Sequence, residues 1–328
     1  MAHSVQEKRE LQDLALFPLL NFSVTICTLL ASGMASYTGV RRFKRTFTYL
    51  IILKKICYNI HDNDSNSNHK LTLMMLTYLI SNAIYIIVND IFIFKFEVVY
   101  IKCMNICFFF QIYQILLMGV ENACIQLEIL QVLKKITKKL HKLNDGLNSD
   151  SITVNIIRSK SEVVRALTSS YVTICELVSA VNLNSGGTMF LIFCNTVFCF
   201  TISFCALIDA FVLATNGKAI IIIIHLIWIT LYTSTTLLFV EPCHRITEEV
   251  IEIRIKLTRL IYGMTPVGRR IRLELDLMYQ QLMLNEPVMS PLQMFTVQRS
   301  LLSKTIAFMT TYLVSILQYI QNERWKRH

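Results

Sequence analysis

The sequence predicts an all-α protein: a polytopic membrane helix bundle with long cytosolic helical extensions. Three observations carry that prediction. Of 328 residues, 54% are hydrophobic and 16% charged, with a mean hydropathy of +0.50. Soluble domains carry about 25% charged residues. The apolar residues gather in runs of roughly 20, the length that crosses a hydrocarbon core about 30 Å thick. The excess of Lys and Arg, net charge +10, falls in alternate connections. In a soluble chain that charge would point to nucleic acid. Beside apolar runs it sets orientation in the membrane.

Residues 14–37 form the first span, free of charge but containing Pro18. The basic cluster Arg41-Arg42-Phe43-Lys44-Arg45 follows. Residues 47–60 are apolar but short and carry Lys54-Lys55, which predicts an amphipathic cytosolic helix. Residues 71–88 and 98–120 are spans, the second continuing as a basic helix to Leu143. A break is expected over 144–150, then a helix of mixed polarity over 151–185. Gly186-Gly187 opens a span to about Leu213. Asn216-Gly217 marks a tight turn, and 219–240 span back. Residues 241–288 are charged and helical, until Pro287 and Pro291 interrupt them, and 301–321 form the last span.

That makes six spans, or seven if residues 45–60 cross as a short span. Connections 41–70, 121–187 and 241–300 hold most of the Lys and Arg and are expected to be cytosolic. In the six-span reading both termini then lie outside. Asn63-Asp64-Ser65 is a glycosylation acceptor, so a glycan on Asn63 would refute a cytosolic loop there.

The chemistry of soluble enzymes finds little footing. No Gly-x-Gly-x-x-Gly, P-loop, His-Glu-x-x-His or serine elbow occurs, and His61, His69, His141 and His244 lack ligand spacing. Neither an enzyme nor a nucleic-acid binder is expected. Of ten cysteines, Cys103, Cys107, Cys194, Cys199 and Cys205 lie inside apolar runs and act as small hydrophobes. Nothing beside Cys103-x3-Cys107 completes a metal site, so no metal or cofactor is expected. Residues 1–14 lack the short apolar core of a cleaved signal peptide.

The last span is the most informative. Phe308, Thr311, Ser315, Gln318 and Asn322 alternate at spacings of three and four and share one helix face. A glutamine in an apolar segment needs a partner, water or an ion. The stripe therefore lines a wet path or binds neighbouring helices by hydrogen bonds. The segment Thr311-Tyr312, five residues, then Gln318-Tyr319 closely resembles the Thr-Tyr-x5-Gln-Phe signature of insect gustatory receptors. Residues 295–302, Phe-Thr-Val-Gln-Arg-Ser-Leu-Leu, resemble the family's Phe-Thr-Leu-Asp-Arg-Ser-Leu-Leu ahead of it. Leu143-Asn144-x2-Leu147 and Val181-Asn182 are similar to further family patterns near its fourth and fifth spans. The sequence departs from the family at Tyr319, which stands for Phe, and at Gln293-Met294, which stand for Gly-Phe. If 14–37 is the family's second span, its first is expected to be missing; if residues 45–60 span, the count is seven.

The resemblance implies a taste receptor of the plasma membrane that is itself a ligand-gated cation channel, a homotetramer with the last helix around the pore. It implies pore and gate residues Thr311, Val314, Ser315, Gln318 and Tyr319. It divides the chain into a ligand-sensing bundle over 1–120, a cytosolic extension over 121–187, a helix pair over 188–240, anchor helices over 241–300, the pore helix over 301–321 and a tail over 322–328. Expected partners are membrane lipids, a small-molecule tastant, further copies of the chain and other gustatory receptor subunits. A ligand pocket is expected in the outer half of the spans. Tyr85, Asn89, Lys102, Asn105, Asp209, His225 and Trp228 are its candidates, because polar and ionisable groups inside spans are costly unless used. Alternatives are an odorant-type or G-protein-coupled chemoreceptor and, less well matched, a transporter. No Asp-Arg-Tyr or Asn-Pro-x2-Tyr element supports the G-protein-coupled form, and the halves do not repeat as transporter halves do.

Overall fold

The computed structural model describes residues 41–60, 99–147, 154–212, 218–263 and 269–325, with scattered positions at 25–37, 77 and 80. Among them there is helix and no strand. The helices are α1 (41–59), α2 (Val99–Leu147), α3 (Val154–Val212), α4 (Lys218–Gly263), α5 (Arg269–Leu284) and α6 (Arg299–Trp325), with a 3₁₀ turn at Pro291–Gln293 before α6. The molecule is a helix-bundle membrane protein.

Three described helices are long and apolar enough to cross a membrane, over Ile112–Asp145, Ile157–Ile208 and Ile222–Gly263. At 59 residues α3 is about 90 Å long, three times the hydrocarbon thickness, so it continues well past the bilayer. In the most apolar stretches of α3 and α4 only 28% and 17% of residues are buried. Those stretches leave their apolar surface to lipid or to other chains. The predicted last span lies within α6, whose 27 residues are sufficient to cross.

The main core lies instead where the charged helices meet. The α2 tail contributes Ile129, Leu133, Ile136 and Leu140, while Lys134 and Lys138 point outward. The first half of α3 adds Val164, Leu167, Tyr171 and Ile174, and the second half of α4 adds Val250, Ile253 and Leu257. In α5, Ile271, Leu275, Met278 and Leu282 form one buried face. Burying each such side chain contributes about 1.5–3 kcal/mol. The amphipathic periods in the sequence therefore produce one shared bundle.

Helix α1 joins this bundle through Leu53, Ile56 and Ile60, with Lys54 and Lys55 exposed, as an amphipathic helix does. Its first turn is fixed by Arg42, which pairs with Glu121 of α2 at 2.6 Å, and by Thr46, which donates to the same carboxylate. Higher up, buried Thr28 donates to Asn195 of α3 at 2.9 Å, a polar contact between apolar segments.

Two boundaries differ from the sequence reading. Helix α2 continues to Leu147, into the expected break, and α3 runs unbroken through Gly186-Gly187. Gly186 marks a close approach by another segment rather than a helix start. Residues 61–70 and 213–217, where Asn63 and the expected Asn216-Gly217 turn fall, lie outside the described residues, as does nearly all of 71–88.

Candidate functional site: the segment that leads into the last helix

Residues 285–298 connect α5 to α6 and are held by α3 and α4. Asn182 of α3 makes two bonds to this segment. Its Nδ2 donates to the Val288 carbonyl at 2.8 Å, and its Oδ1 accepts from the Ser290 N–H at 3.1 Å. Tyr171 donates to the Asn285 carbonyl at 2.8 Å, and Arg254 of α4 pairs with Glu286. The Val297 N–H closes the loop on the Met289 carbonyl at 3.0 Å, and both side chains are buried.

The 3₁₀ turn lies against α3 at Gly186. A Cβ there would stand 3.0 Å from the Leu292 nitrogen, so only glycine accepts the approach without movement. The turn is itself strained. Leu292 and Gln293 have φ of 53° and 58°, the left-handed region that costs an ordinary residue about 1–2 kcal/mol. Gln293 is the position at which the gustatory pattern carries glycine. That departure therefore falls on a backbone conformation made for glycine.

Past the turn, Phe295 inserts between Phe190 and Phe193 of α3, with ring centroids 6.3 and 5.2 Å away. Arg299 then opens α6 by gripping Glu241 of α4. Arg299 Nε reaches Oε2 at 3.1 Å, and Nη2 reaches Oε1 at 2.9 Å. Arg245 adds a bond to Oε1 at 2.8 Å. Glu241 is the first residue past the apolar 219–240 run. The two guanidinium groups, Arg299 foremost, hold its carboxyl down at about 2. The carboxylate also sits beside the α6 N-terminus, the helix end that favours negative charge.

Four residues from three sequence stretches thus converge here: Asn182, Gly186, and Phe295 with Arg299. The sequence flagged the stretches separately, and the contacts show them to be one clamp on the root of α6. Sequence reasoning missed Glu241 and Tyr171 as members. No local spacing links Glu241 to a residue 58 positions later.

Beyond the clamp, α6 has two faces. Met309 is buried, and Leu302 and Thr305 are partly buried, toward α3 and α4. Phe308, Thr311, Val314, Ser315 and Gln318 are exposed in the single chain. Thr311 and Ser315 give their hydroxyl protons to their own helix, to Ala307 and Thr311 carbonyls at 2.9 Å each. These bonds satisfy the hydroxyls without another helix of the chain.

Of the seven predicted ligand residues, Tyr85 and Asn89 lie outside the described residues. Lys102 and Asn105 fall on α2 and Asp209 on α3, with side chains outside the description, as is that of Tyr319 on α6. His225 and Trp228 are one turn apart on α4 and half-buried. Trp228 stacks on Tyr232 at 5.6 Å and packs against Ile112 and Leu116 of α2. The His225 Nδ1 is buried without a hydrogen-bond partner. Among the described residues no three His, Cys, Asp or Glu side chains gather as a metal site.

Over residues 6–323 the chain matches the family described as 7tm chemosensory receptor. Among solved structures it is similar to the insect olfactory receptor OR5 from Machilis hrabei in complex with eugenol. Identity is 12% and the TM-score 0.64, over 91% of this chain and 81% of that one. The same receptor without that ligand gives 11% and 0.62, over 93% and 82%. No curated protein matches the chain. The structural likeness, at such identity, speaks for the fold alone. The family match spans nearly every residue, both arms of the clamp and all of the exposed α6 face. The chain belongs to the 7tm chemosensory receptor family.

Proposed function

We propose that this protein is a gustatory-type receptor of the plasma membrane that works as a ligand-gated, non-selective cation channel built from four copies. One observation carries the reading: the polar stripe of α6 faces away from its own bundle, while the opposite edge of the helix is packed. In the outward row of Thr311, Ser315 and Gln318 the two hydroxyls are satisfied by their own helix, but the Gln318 amide is costly against lipid. Around a symmetry axis the same row lines a water-filled path. Four Gln318 side chains then form a polar ring that holds partly hydrated cations, with Val314 and Tyr319 narrowing the path on either side.

The ligand acts from the other side of the bundle. His225, with an unpartnered buried nitrogen, and Trp228 are the described residues that best fit a small polar-aromatic molecule. Tyr85, Asn89, Lys102, Asn105 and Asp209 complete the proposed region. The related Machilis receptor was solved with eugenol, and a small molecule is the proposed ligand class here. Because the structural neighbours are olfactory receptors, an odorant-type role is the second reading. It shares the pore and differs in ligand.

Expression in oocytes tests both readings. A cation current evoked directly by a ligand, with G-protein signalling blocked, supports the channel. A response that disappears with that block contradicts it. A panel of tastants and volatile odorants, tried alone and with other receptor subunits, then separates the two ligand classes.

A further inference from the structure

Between α3, α4 and α6, behind the exposed α6 face, lies a cavity of about 370 Å³. That is within the size range of small-molecule pockets. Five of its thirteen lining residues are threonines, so its chemistry depends on what their hydroxyls do. Each donates its proton to a carbonyl of its own helix. Thr196 bonds Ile192 at 2.8 Å, Thr233 bonds Ile229 at 2.7 Å and Thr236 bonds Tyr232 at 2.8 Å. Thr305 bonds Leu301 and Thr310 bonds Ile306, both at 2.8 Å. A hydroxyl has one proton and two lone pairs. The wall is therefore almost wholly apolar, such polar surface as it shows is acceptor only, and its remaining lining is Phe, Val, Ile, Leu and Met. Neither His225 nor Trp228 lines it.

We propose that this cavity is a second binding site, separate from the ligand region named above, and that it takes small uncharged alcohols. The apolar body fills the space, and the hydroxyl donates to a threonine oxygen. A ketone or ether of the same shape can only accept, and meets no donor among these hydroxyls. Occupancy reaches the clamp directly. Phe193 lines the cavity and meets Phe295 at 5.2 Å, and Leu302 and Thr305 bring the first turns of α6 to its wall. An alcohol bound here therefore modulates the root of α6.

Photolabelling of the full chain in phosphatidylcholine nanodiscs tests the proposal, and it reads binding whether or not the chain conducts. The probe is a medium-chain alkanol bearing a diazirine, compared with the matching diazirine alkane. Adducts are expected within 193–204, 229–236 and 302–310, with the alkanol labelling roughly fivefold more than the alkane, the worth of one hydrogen bond. Thr233→Trp fills the cavity and is expected to abolish labelling there. Because that variant can misfold, a second keeps the shape: Thr196→Val, Thr233→Val, Thr236→Val, Thr305→Val and Thr310→Val together. It is expected to bring alkanol labelling down to the alkane level. Equal labelling by alkanol and alkane in the unaltered protein would overturn the proposal. So would adducts from a diazirine-bearing phospholipid chain that the alkanol does not displace, which would assign the cavity to lipid.

Discussion

Arg299, the first residue of α6, reaches across to Glu241 of α4 with Nε and Nη2, and the carboxylate it grips is shared with Arg245. This ties the root of the proposed pore helix to the end of an apolar span. Both partners are partly exposed, so solvent screens the pair and it acts as a surface ion pair rather than a buried one. A double-mutant cycle with Arg299→Ala and Glu241→Ala is expected to show non-additive effects on ligand-evoked current or thermal stability. Additive effects would mean that the contact does no such tying.

The same pair sets a pH expectation. The Glu241 carboxyl is lowered from its ordinary 4.5 to about 2 in the folded protein. A lowered carboxylate contributes stability that is fully present above its unfolded value and is lost as pH falls through the folded one. Between roughly pH 5 and 8 this pair therefore does not titrate. Wild type and Glu241→Gln are expected to have currents that differ in size but follow parallel pH profiles over that range.

Asn182 matches both a donor and an acceptor to the loop backbone. Asn182→Leu removes both bonds and leaves the Val288 carbonyl and the Ser290 N–H unpaired. That costs about 1–3 kcal/mol, seen as a lower melting temperature of the purified protein. Asn182→Asp keeps the acceptor but sets a carboxylate oxygen against the Val288 carbonyl, and is expected to lower the melting temperature as well.

Two substitutions around the 3₁₀ turn are expected to act in opposite directions. Gly186→Ala puts a methyl 3.0 Å from the Leu292 nitrogen and should lower stability by pushing the turn off α3. Gln293→Gly relieves a left-handed φ and should raise stability by about 1 kcal/mol. Thermal unfolding of the two variants, compared with wild type, measures both signs.

Much of this was legible in the sequence because it is written in local period. The buried faces of α2, α3, α4 and α5 follow the spacing of Leu, Ile and Val, and α1 packs as the short amphipathic helix that Lys54 and Lys55 require. The α6 stripe was legible for the same reason. What period cannot reveal is which segments meet. Gly186 reads as a helix start when only its neighbours in the chain are considered; the approach of Leu292, more than a hundred residues later, gives it another purpose. Glu241 reads as one charge among many until Arg299 arrives. The strain at Gln293 was visible only as a departure from a family pattern, and its cause lies in φ. The cavity behind α6 depends on the relative placement of three helices, which no single stretch encodes.

The central claim is that the exposed face of α6 lines the conducting path. Thiol modification at Ser315 tests it most directly. Ser315→Cys channels, opened by ligand, are exposed to a positively charged thiol reagent, with wild type and the core-buried Ile253→Cys as controls. The expected result is rapid, irreversible loss of current in Ser315→Cys and little change in either control. Full modification of Ser315→Cys with undiminished current would contradict the account, because it would place that face of α6 away from the ions.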